Sequence, residues 1–341
     1  MGTYICPYCF TKNDEKDKVC KECKKSLPYT FGKYQDETFS VVGMKDSGKS
    51  TFIGMLLHDV FYSRISEQFG ASIAHVNDEV NDKTEFRYGN NLEKKVTVDV
   101  TRNAVENPDI KEPLIFTLSF SKKKLFGGTK FKVATMSLFD NAGEDLVSEN
   151  HMSIANRNII NSTGIIMIID PLQFSAVRDE LKNKGIPLPE KADRKIEKLL
   201  TNIVNLIQNS RQPKSDKQID IPIAIALSKA DVLADFIGEN NSMIFRDSNY
   251  REVLDKKEMT GISAEIENFI ISYYNPGFVQ QIKNTFKNYC FFGFSALGSN
   301  PVPDPENDRK RGGKKIEEYR SFRVEDPFLW ILQQRNLIKM K

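Results

Sequence analysis

One eight-residue segment constrains the fold of this chain more than any other part. It runs from Gly43 to Ser50, reads GMKDSGKS and fits the pattern Gly-x4-Gly-Lys-Ser. A β-rich run, 38–42, precedes it, and an amphipathic apolar run, 52–60, follows it. Strand, loop and helix in this order predict a phosphate-binding loop. In such a loop the glycines allow the backbone N–H groups to point at phosphate oxygens, which lie at the N-terminus of the helix. The residues predicted to surround the ligand are Gly43, Lys45, Asp46, Ser47, Gly48, Lys49, Ser50 and Thr51.

A second polar segment, Asp140-Asn141-Ala142-Gly143-Glu144, follows the apolar run 133–139. An acid at the carboxyl end of a strand can hold Mg²⁺ through water, and a glycine three residues later can offer its N–H to a terminal phosphate. In the phosphate-binding loop, a lysine reaches the β- and γ-phosphates and a serine ligates Mg²⁺. The catalytic candidates are therefore Lys49, Asp140, Gly143 and Glu144, and the Mg²⁺ candidates are Ser50 and Asp140.

Two more segments predict which base is bound. The apolar run 221–227 ends in Ser228-Lys229-Ala230-Asp231, where a carboxylate can accept the N1–H and 2-amino hydrogens of guanine. Adenine lacks this donor pair, and a site built on such hydrogen bonds rejects the wrong base by roughly 10⁴–10⁵-fold. The run 290–294 ends in Ser295-Ala296-Leu297, where a backbone N–H can reach the 6-oxo group of guanine.

Taken in order, GMKDSGKS, DNAGE, SKAD and SAL resemble the first, third, fourth and fifth G-box motifs of TRAFAC-class P-loop GTPases, and their layout resembles the Ras-like G domain. The resemblance covers about residues 37–338. It implies an α/β P-loop NTPase fold with a mixed, mostly parallel six-stranded sheet, helices on both faces, and GTP or GDP with Mg²⁺ at the carboxyl edge of the strands. It also implies individual roles: Lys49, Ser50 and Thr51 serve the phosphates and Mg²⁺, Asp140 and Gly143 sense the γ-phosphate, Lys229 stacks along the base, Asp231 reads guanine, and Ser295 and Ala296 close over it.

The sequence departs from this family pattern at several positions. Glu144 stands where many members have the glutamine that orients the attacking water. Its negative charge should hinder attack on a phosphoryl group, so turnover is expected to be slow or to depend on another residue. Ser228 replaces the usual Asn or Thr, and the threonine that would complete the Mg²⁺ shell is not identifiable, Thr101 being the nearest candidate. Asp46 either holds a monovalent cation beside the phosphates or faces solvent.

Four of the five cysteines lie within the first 23 residues, as Cys6-Pro7-Tyr8-Cys9 and Cys20-Lys21-Glu22-Cys23. Each two-residue gap lets two thiolates point at one ion, so the two knuckles predict a tetrahedral Zn²⁺ site. Residues 1–25 hold few large apolar groups, and structural zinc supplies roughly 10–16 kcal/mol of apparent folding free energy. Four thiolates leave no open position for a substrate, so a structural staple is expected. A ribbon that binds nucleic acid or protein is the alternative.

The composition limits the compartment and the partners. The net charge of +3 is nearly balanced and does not demand a polyanionic partner. No apolar run approaches the ~20 residues that span a bilayer, and no signal-peptide core is visible, so a reducing cytoplasm is expected. The predicted divisions are a zinc ribbon over 1–25, a linker over 26–36, and a GTPase domain over 37–341 with inserts near 67–112, 232–262 and 298–320.

The favoured function is a nucleotide-dependent switch that hydrolyses GTP to GDP with Mg²⁺ and acts on a protein partner. The cysteine pairs ahead of a G domain and the long inserts are similar to bacterial GTPase-domain and double-GTPase-like proteins of conflict systems, which implies a role in defence. Two alternatives stay open: a sensor or scaffold that binds GTP without hydrolysing it, and a nucleic-acid-binding zinc ribbon timed by GTP. The sequence does not indicate an oligomeric state.

Overall fold

A computed structural model describes most of the chain. Glu144, Thr101 and most of the segments 67–112 and 298–320 lie outside the described residues, so the predictions made for them stay predictions. The described residues are 3–75, 112–123, 128–143, 146, 152–182, 188, 195–211, 217–238, 240, 242–248, 250–299, 302–303, 314–315 and 320–341.

The strands of the described residues form one large sheet and three small pairs. They are β1 Thr3–Ile5, β2 Lys12–Asp14, β3 Gln35–Gly43, β4 Ala71–His75, β5 Leu114–Lys123, β6 Thr129–Ala142, β7 Gly164–Ile169, β8 Ile223–Leu227, β9 Val253–Leu254, β10 Tyr289–Gly293, β11 Val302–Pro303, β12 Lys314–Lys315 and β13 Lys339–Met340. The large sheet has the order β10-β8-β7-β3-β6-β5-β4. Its first five strands run parallel, and β5 pairs antiparallel with both β6 and β4. The architecture is therefore mixed α/β, as the motifs predicted.

The number of strands differs from the prediction, because the large sheet has seven strands rather than six. The added strand is β4, which lies in a segment predicted to be an insert. Ala71 pairs with Phe120 and His75 pairs with Phe116, and burial alternates along β4. The short strand β4 pairs with β5, which would otherwise expose a row of unpaired backbone groups.

Helices cover both faces of the large sheet. In chain order they are α1 Lys49–Met55, which continues as a π-helix over Leu56–Ile65, then α2 Ser66–Phe69, α3 Met152–Ile160, α4 Ser175–Leu181, α5 Lys195–Arg211, α6 Ala234–Ile237, α7 Lys256–Tyr273, α8 Pro276–Thr285 and α9 Asp326–Gln334. Short 3₁₀ turns cover Pro171–Gln173 and Ala230–Leu233. In this described part, no helix is both long and apolar enough to cross a membrane.

Two apolar cores lie on opposite faces of the sheet. On one face Phe52 of α1 and Trp330 of α9 pack in the same cluster, and on the other Leu199 of α5 and Phe269 of α7 do so. Strand β7, with the sequence GIIMII, is buried along its whole length and supplies side chains to both cores. Such a continuous apolar run is typical of a parallel strand covered on both faces.

The cysteine-rich segment packs against the large domain. Tyr4 and Phe31 form an apolar cluster with Ile115 of β5, and the rings of Phe10 and Phe139 lie 5.7 Å apart. Lys25 makes an ion pair with Glu112, just before β5. These contacts place the segment on the β5–β6 part of the sheet.

Candidate nucleotide and metal sites

The loop between β3 and α1 has the conformation that a phosphate-binding loop requires. A Cβ atom on Gly43 would lie 2.5 Å from the backbone oxygen of Ile168 and 2.7 Å from Ser47 Oγ, so only glycine fits where the loop passes β7. Gly48 has a φ of +87° and forms the N-cap of α1, and Asp46 also has a positive φ of +61°. The loop therefore delivers the chain directly into a helix N-terminus, whose first N–H groups have no partner within the helix.

Lys49 and Ser50 occupy the first positions of α1. Lys49 is only 4% exposed, and its Nζ donates to the backbone oxygen of Met44 at 2.9 Å, so the ammonium group bends back over the loop. Ser50 Oγ donates to Asp140 Oδ2 at 3.4 Å, across 90 residues of sequence. A hydroxyl and a carboxylate are hard oxygen donors of the kind that Mg²⁺ prefers, so these two side chains fit the predicted ion. Thr51, the next residue of α1, is half-buried.

Gly143 makes a close backbone approach to the loop. A Cβ atom on Gly143 would lie 2.6 Å from the oxygen and 2.9 Å from the carbonyl carbon of Gly43. Asn141, two residues earlier and within β6, is buried and accepts a hydrogen bond at 2.9 Å from Asn158 Nδ2 of α3. The end of β6 therefore contacts α3, and Gly143 lies against Gly43 at the start of the phosphate-binding loop.

Lys229 joins the predicted base-reading segment to the phosphate-binding loop. Its Nζ donates to Asp170 Oδ2 at 2.5 Å and to the backbone oxygen of Asp46 at 3.3 Å. Asp170 is 2% exposed, and burial raises the pKa of its carboxyl group, whereas the charge of Lys229 opposes that rise. The N–H of Leu172 gives Asp170 a second hydrogen bond, at 2.9 Å.

Asp170 was missed at the sequence level. A signal was available, since this carboxylate directly follows the apolar strand β7, just as Asp140 ends the apolar run 133–139 and Ser228 follows the strand β8. Polar groups at the carboxyl ends of neighbouring parallel strands gather at one edge of a sheet, where ligands of such folds bind.

The last two predicted segments meet directly. Ser295 Oγ donates to Asp231 Oδ1 at 2.6 Å and accepts from the N–H of Gly298 at 2.9 Å. Ser295 also exchanges two backbone hydrogen bonds with Phe322, so the turn after β10 is fixed from the C-terminal side. Ala296 is buried and Leu297 half-buried beside it. The carboxylate of Asp231 is therefore oriented by a hydroxyl from the neighbouring strand end.

The structure brings most of the predicted residues together at one edge of the sheet. Ser228 lies next to the loop, since a Cβ atom on Gly48 would be 3.6 Å from Ser228 Cβ. Lys45 and Asp46 are exposed, which agrees with a solvent-facing Asp46, while Ser47 is buried. The predicted role of each residue toward a ligand stays a prediction.

The four N-terminal cysteines form a compact sulfur cluster. Their ligand atoms all lie within 4.8 Å of one another, and the Cys6–Cys23 and Cys9–Cys20 sulfur pairs are 3.8 and 3.5 Å apart. A tetrahedral Zn²⁺ with Zn–S bonds of ~2.3 Å needs sulfur–sulfur distances of about 3.8 Å. The residues present therefore fit a zinc ion.

The surroundings of the sulfurs favour ionisation at Cys20, whereas burial raises the pKa of Cys6 and Cys23. Burial opposes ionisation of Cys20, but hydrogen bonds from the N–H groups of Cys23 and Glu22 lower its pKa to about 6. Burial raises the pKa of Cys6, whose sulfur accepts the N–H of Tyr8 at 3.4 Å. A residue missed in the sequence, Asn13, is 1% exposed and donates to Cys20 Sγ at 3.7 Å. Polar partners of this kind orient metal ligands.

Comparison with known proteins gives one curated relative and several solved structures. No family model matches the chain. It is 23% identical over 335 residues to the putative ESX-1 scaffolding and assembly protein SaeC of Mycolicibacterium smegmatis, an alignment that covers 92% of this chain and 79% of that protein.

The solved structures that resemble the chain include a GTPase-like domain in two nucleotide states and a variant of Era. The S. cerevisiae Ski7 GTPase-like domain bound to GTP aligns with 89% of this chain at 14% identity and a TM-score of 0.33, and the same domain with GDP and inorganic phosphate aligns with 90% at 16% and 0.34. A variant of Aquifex aeolicus Era with GDP and AlF4⁻ aligns with 77% at 11% and 0.29. The chain spans about half the length of these solved chains.

Proposed function

We propose that this protein binds GTP and GDP with Mg²⁺ and uses the difference between them as a conformational switch. The observation that carries the proposal is the meeting of four distant motifs at one sheet edge: Ser50 with Asp140, Asp231 with Ser295, and Lys229 with the loop oxygen of Asp46. A phosphate-binding loop alone does not choose a base. A carboxylate oriented by Ser295 is the acceptor that guanine, and not adenine, requires.

Each end of the proposed site has residues suited to it. The N–H groups of 43–50 and the Lys49 ammonium would hold the phosphates, and Ser50 with Asp140 would hold Mg²⁺, which neutralises charge on the phosphoryl oxygens when bound. Gly143 lies against Gly43, so its N–H is suited to a γ-phosphate that sits on the loop. Presence or loss of that phosphate would then order or release the segment after β6.

We further propose that hydrolysis by the isolated chain is slow. Glu144 would bring a negative charge toward the phosphoryl group. A carboxylate would therefore hinder the attack of water there more than the glutamine found in the family that the sequence resembles. The partner is proposed to be a protein, because the curated relative is described as a scaffolding and assembly protein. The same description favours a second candidate function, a scaffold that binds GTP without hydrolysing it. The expected role in bacterial defence stays a prediction without support from the comparisons.

For the cysteine cluster, we propose one structural Zn²⁺ held by Cys6, Cys9, Cys20 and Cys23. The ion would hold the two knuckles together in a segment with little apolar core of its own. With four thiolates bound, it would have no position for a substrate.

Equilibrium binding of fluorescent GTP, GDP and ATP analogues with Mg²⁺, on protein of measured zinc content, tests the proposal. We expect guanine nucleotides to compete and a 100-fold excess of ATP not to compete. The variant Lys49→Ala should lose nucleotide binding. The control Lys182→Ala, which changes an exposed residue paired with Asp179, should keep it. Equal affinity for ATP, or no binding, would refute the nucleotide assignment. Single-turnover assays with and without K⁺ then separate a slow GTPase from a scaffold without turnover.

A further inference from the structure

Phe10 has an unusual backbone conformation in the first cysteine knuckle. It follows Cys9 directly and has a φ of +62°. A bulky residue in this left-handed region is a true outlier, whereas glycine adopts it without strain. The N–H of Phe10 donates to the backbone oxygen of Cys6 at 2.9 Å, so this conformation closes the knuckle around the sulfur cluster.

The second knuckle repeats this geometry with a different side chain. Lys24 follows Cys23, has a φ of +59°, and donates its N–H to the backbone oxygen of Cys20 at 3.1 Å. Among the contacts of the described residues, the Lys24 ammonium donates to the backbone oxygen of Lys21 in its own knuckle. The closing turn therefore needs the strained conformation in both knuckles. Phe10 differs from Lys24 in its aromatic side chain.

The Phe10 ring is directed at the sheet. It lies 5.7 Å from the ring of Phe139, which is 1% exposed and belongs to β6. The next residue is Asp140, whose carboxylate meets Ser50. Strand β6 is paired with β3 in register there, Phe139 with Ser40 and Asp140 with Val41. Packed interiors transmit displacement because they have few voids, so the position of Phe139 bears on the position of Asp140.

We propose that Phe10 is a positioning residue for the Mg²⁺ side of the nucleotide site. The knuckle, held by zinc, presses the Phe10 ring on Phe139 and thereby fixes the Asp140 carboxylate relative to Ser50. The inference rests on the proposed function. It means that the zinc module contributes to nucleotide binding in addition to stabilising its own segment. Because linkage is reciprocal for binding free energies, Mg²⁺–GTP should raise the affinity for zinc, measured by competition with a chelator, when zinc strengthens Mg²⁺–GTP binding.

Three variants of the full chain test the proposal. Phe10→Gly relieves the strain and removes the ring, Lys24→Gly relieves the same strain in the other knuckle, and Phe10→Tyr keeps the ring. GTP affinity is measured with Mg²⁺ and in Mg²⁺-free buffer without a chelator, at one zinc per chain. We expect Phe10→Gly to lower affinity at least ~5-fold with Mg²⁺, the low end of typical coupling between sites, and to leave affinity without Mg²⁺ unchanged. Lys24→Gly and Phe10→Tyr should match the wild type.

An equal loss with and without Mg²⁺, or the same loss in Lys24→Gly, would overturn the proposal, since general destabilisation would cause either. If Phe10→Gly fails to retain zinc, Phe139→Leu repeats the measurement with the knuckle intact. Hydrogen exchange without nucleotide gives an independent readout: zinc chelation should speed exchange of amides 138–142 in the wild type, and these amides should already exchange fast in zinc-loaded Phe10→Gly. Unchanged exchange refutes the transmission from zinc to β6, whereas absence of GTP binding in the wild type refutes the proposed function.

Discussion

Replacing Gly143 by alanine is the sharpest test of how the segment after β6 reads a nucleotide. The new Cβ would lie 2.6 Å from the oxygen and 2.9 Å from the carbon of the Gly43 carbonyl, with Met44 Sδ at 3.0 Å. Two of these neighbours are backbone atoms of a paired strand, so the segment must move away by about 0.8 Å to reach ordinary contact near 3.4 Å. Overpacking of this kind costs typically 1–3 kcal/mol.

This displacement should act on GTP more than on GDP. If the Gly143 N–H meets the γ-phosphate, a lost charge-assisted hydrogen bond of about 1.5–3 kcal/mol lowers GTP affinity by roughly 10- to 150-fold, since 1.4 kcal/mol is a factor of ten. GDP has no γ-phosphate and should bind nearly as before.

Titration calorimetry with GDP and a non-hydrolysable GTP analogue measures both affinities. Gly43→Ala is the matched control, because its Cβ would meet Ile168 O at 2.5 Å on the β7 side of the loop, and it should weaken both nucleotides alike. An equal loss of GTP and GDP affinity in Gly143→Ala, with the fold intact by circular dichroism, would refute the reasoning.

Three further predictions concern other parts of the chain. Asp231→Asn exchanges an acceptor for a donor, so competition assays should show weaker GTP binding and a preference for xanthine nucleotide; an unchanged guanine preference would remove Asp231 from the base site. Burial raises the pKa of Asp36 to about 6 against the partial opposition of the Gly32 N–H. Between about pH 4 and pH 6 the folded chain therefore keeps a proton that the unfolded chain has lost, and stability falls as pH rises, by about 1–2 kcal/mol for a carboxyl partly screened by solvent. Urea unfolding of Asp36→Asn should therefore show a gain at pH 7 that disappears below pH 4, and a pH-independent difference would contradict this. Cys20→Ala should lower zinc, measured by atomic absorption, from one to near zero per chain and expose Tyr4 to proteolysis at the ribbon; full zinc retention would exclude the four-cysteine site.

The local part of the site could be predicted from the sequence. Glycines at 43 and 48, a lysine and a serine at fixed spacing, and apolar runs on either side specify a strand, a loop and a helix through neighbouring φ and ψ angles. The same holds for the two knuckles, because a two-residue gap between cysteines limits where their sulfurs point. The apolar run 221–227 likewise located the buried strand β8, whose observed bounds fall within it.

The contacts between these segments were decided by the tertiary structure. The pairing of Lys229 with Asp170 spans 59 residues and that of Ser295 with Asp231 spans 64, and no local pattern states which strand ends become neighbours. The pairing of β4 with β5 and the contact of the Phe10 ring with Phe139 likewise join residues that are far apart in the sequence. The sequence by itself determined which groups can bind a phosphate, a base or a zinc ion, since that depends on chemistry and short spacing. Only the folded chain decided which of them act together, since strand order and burial depend on packing across the whole domain.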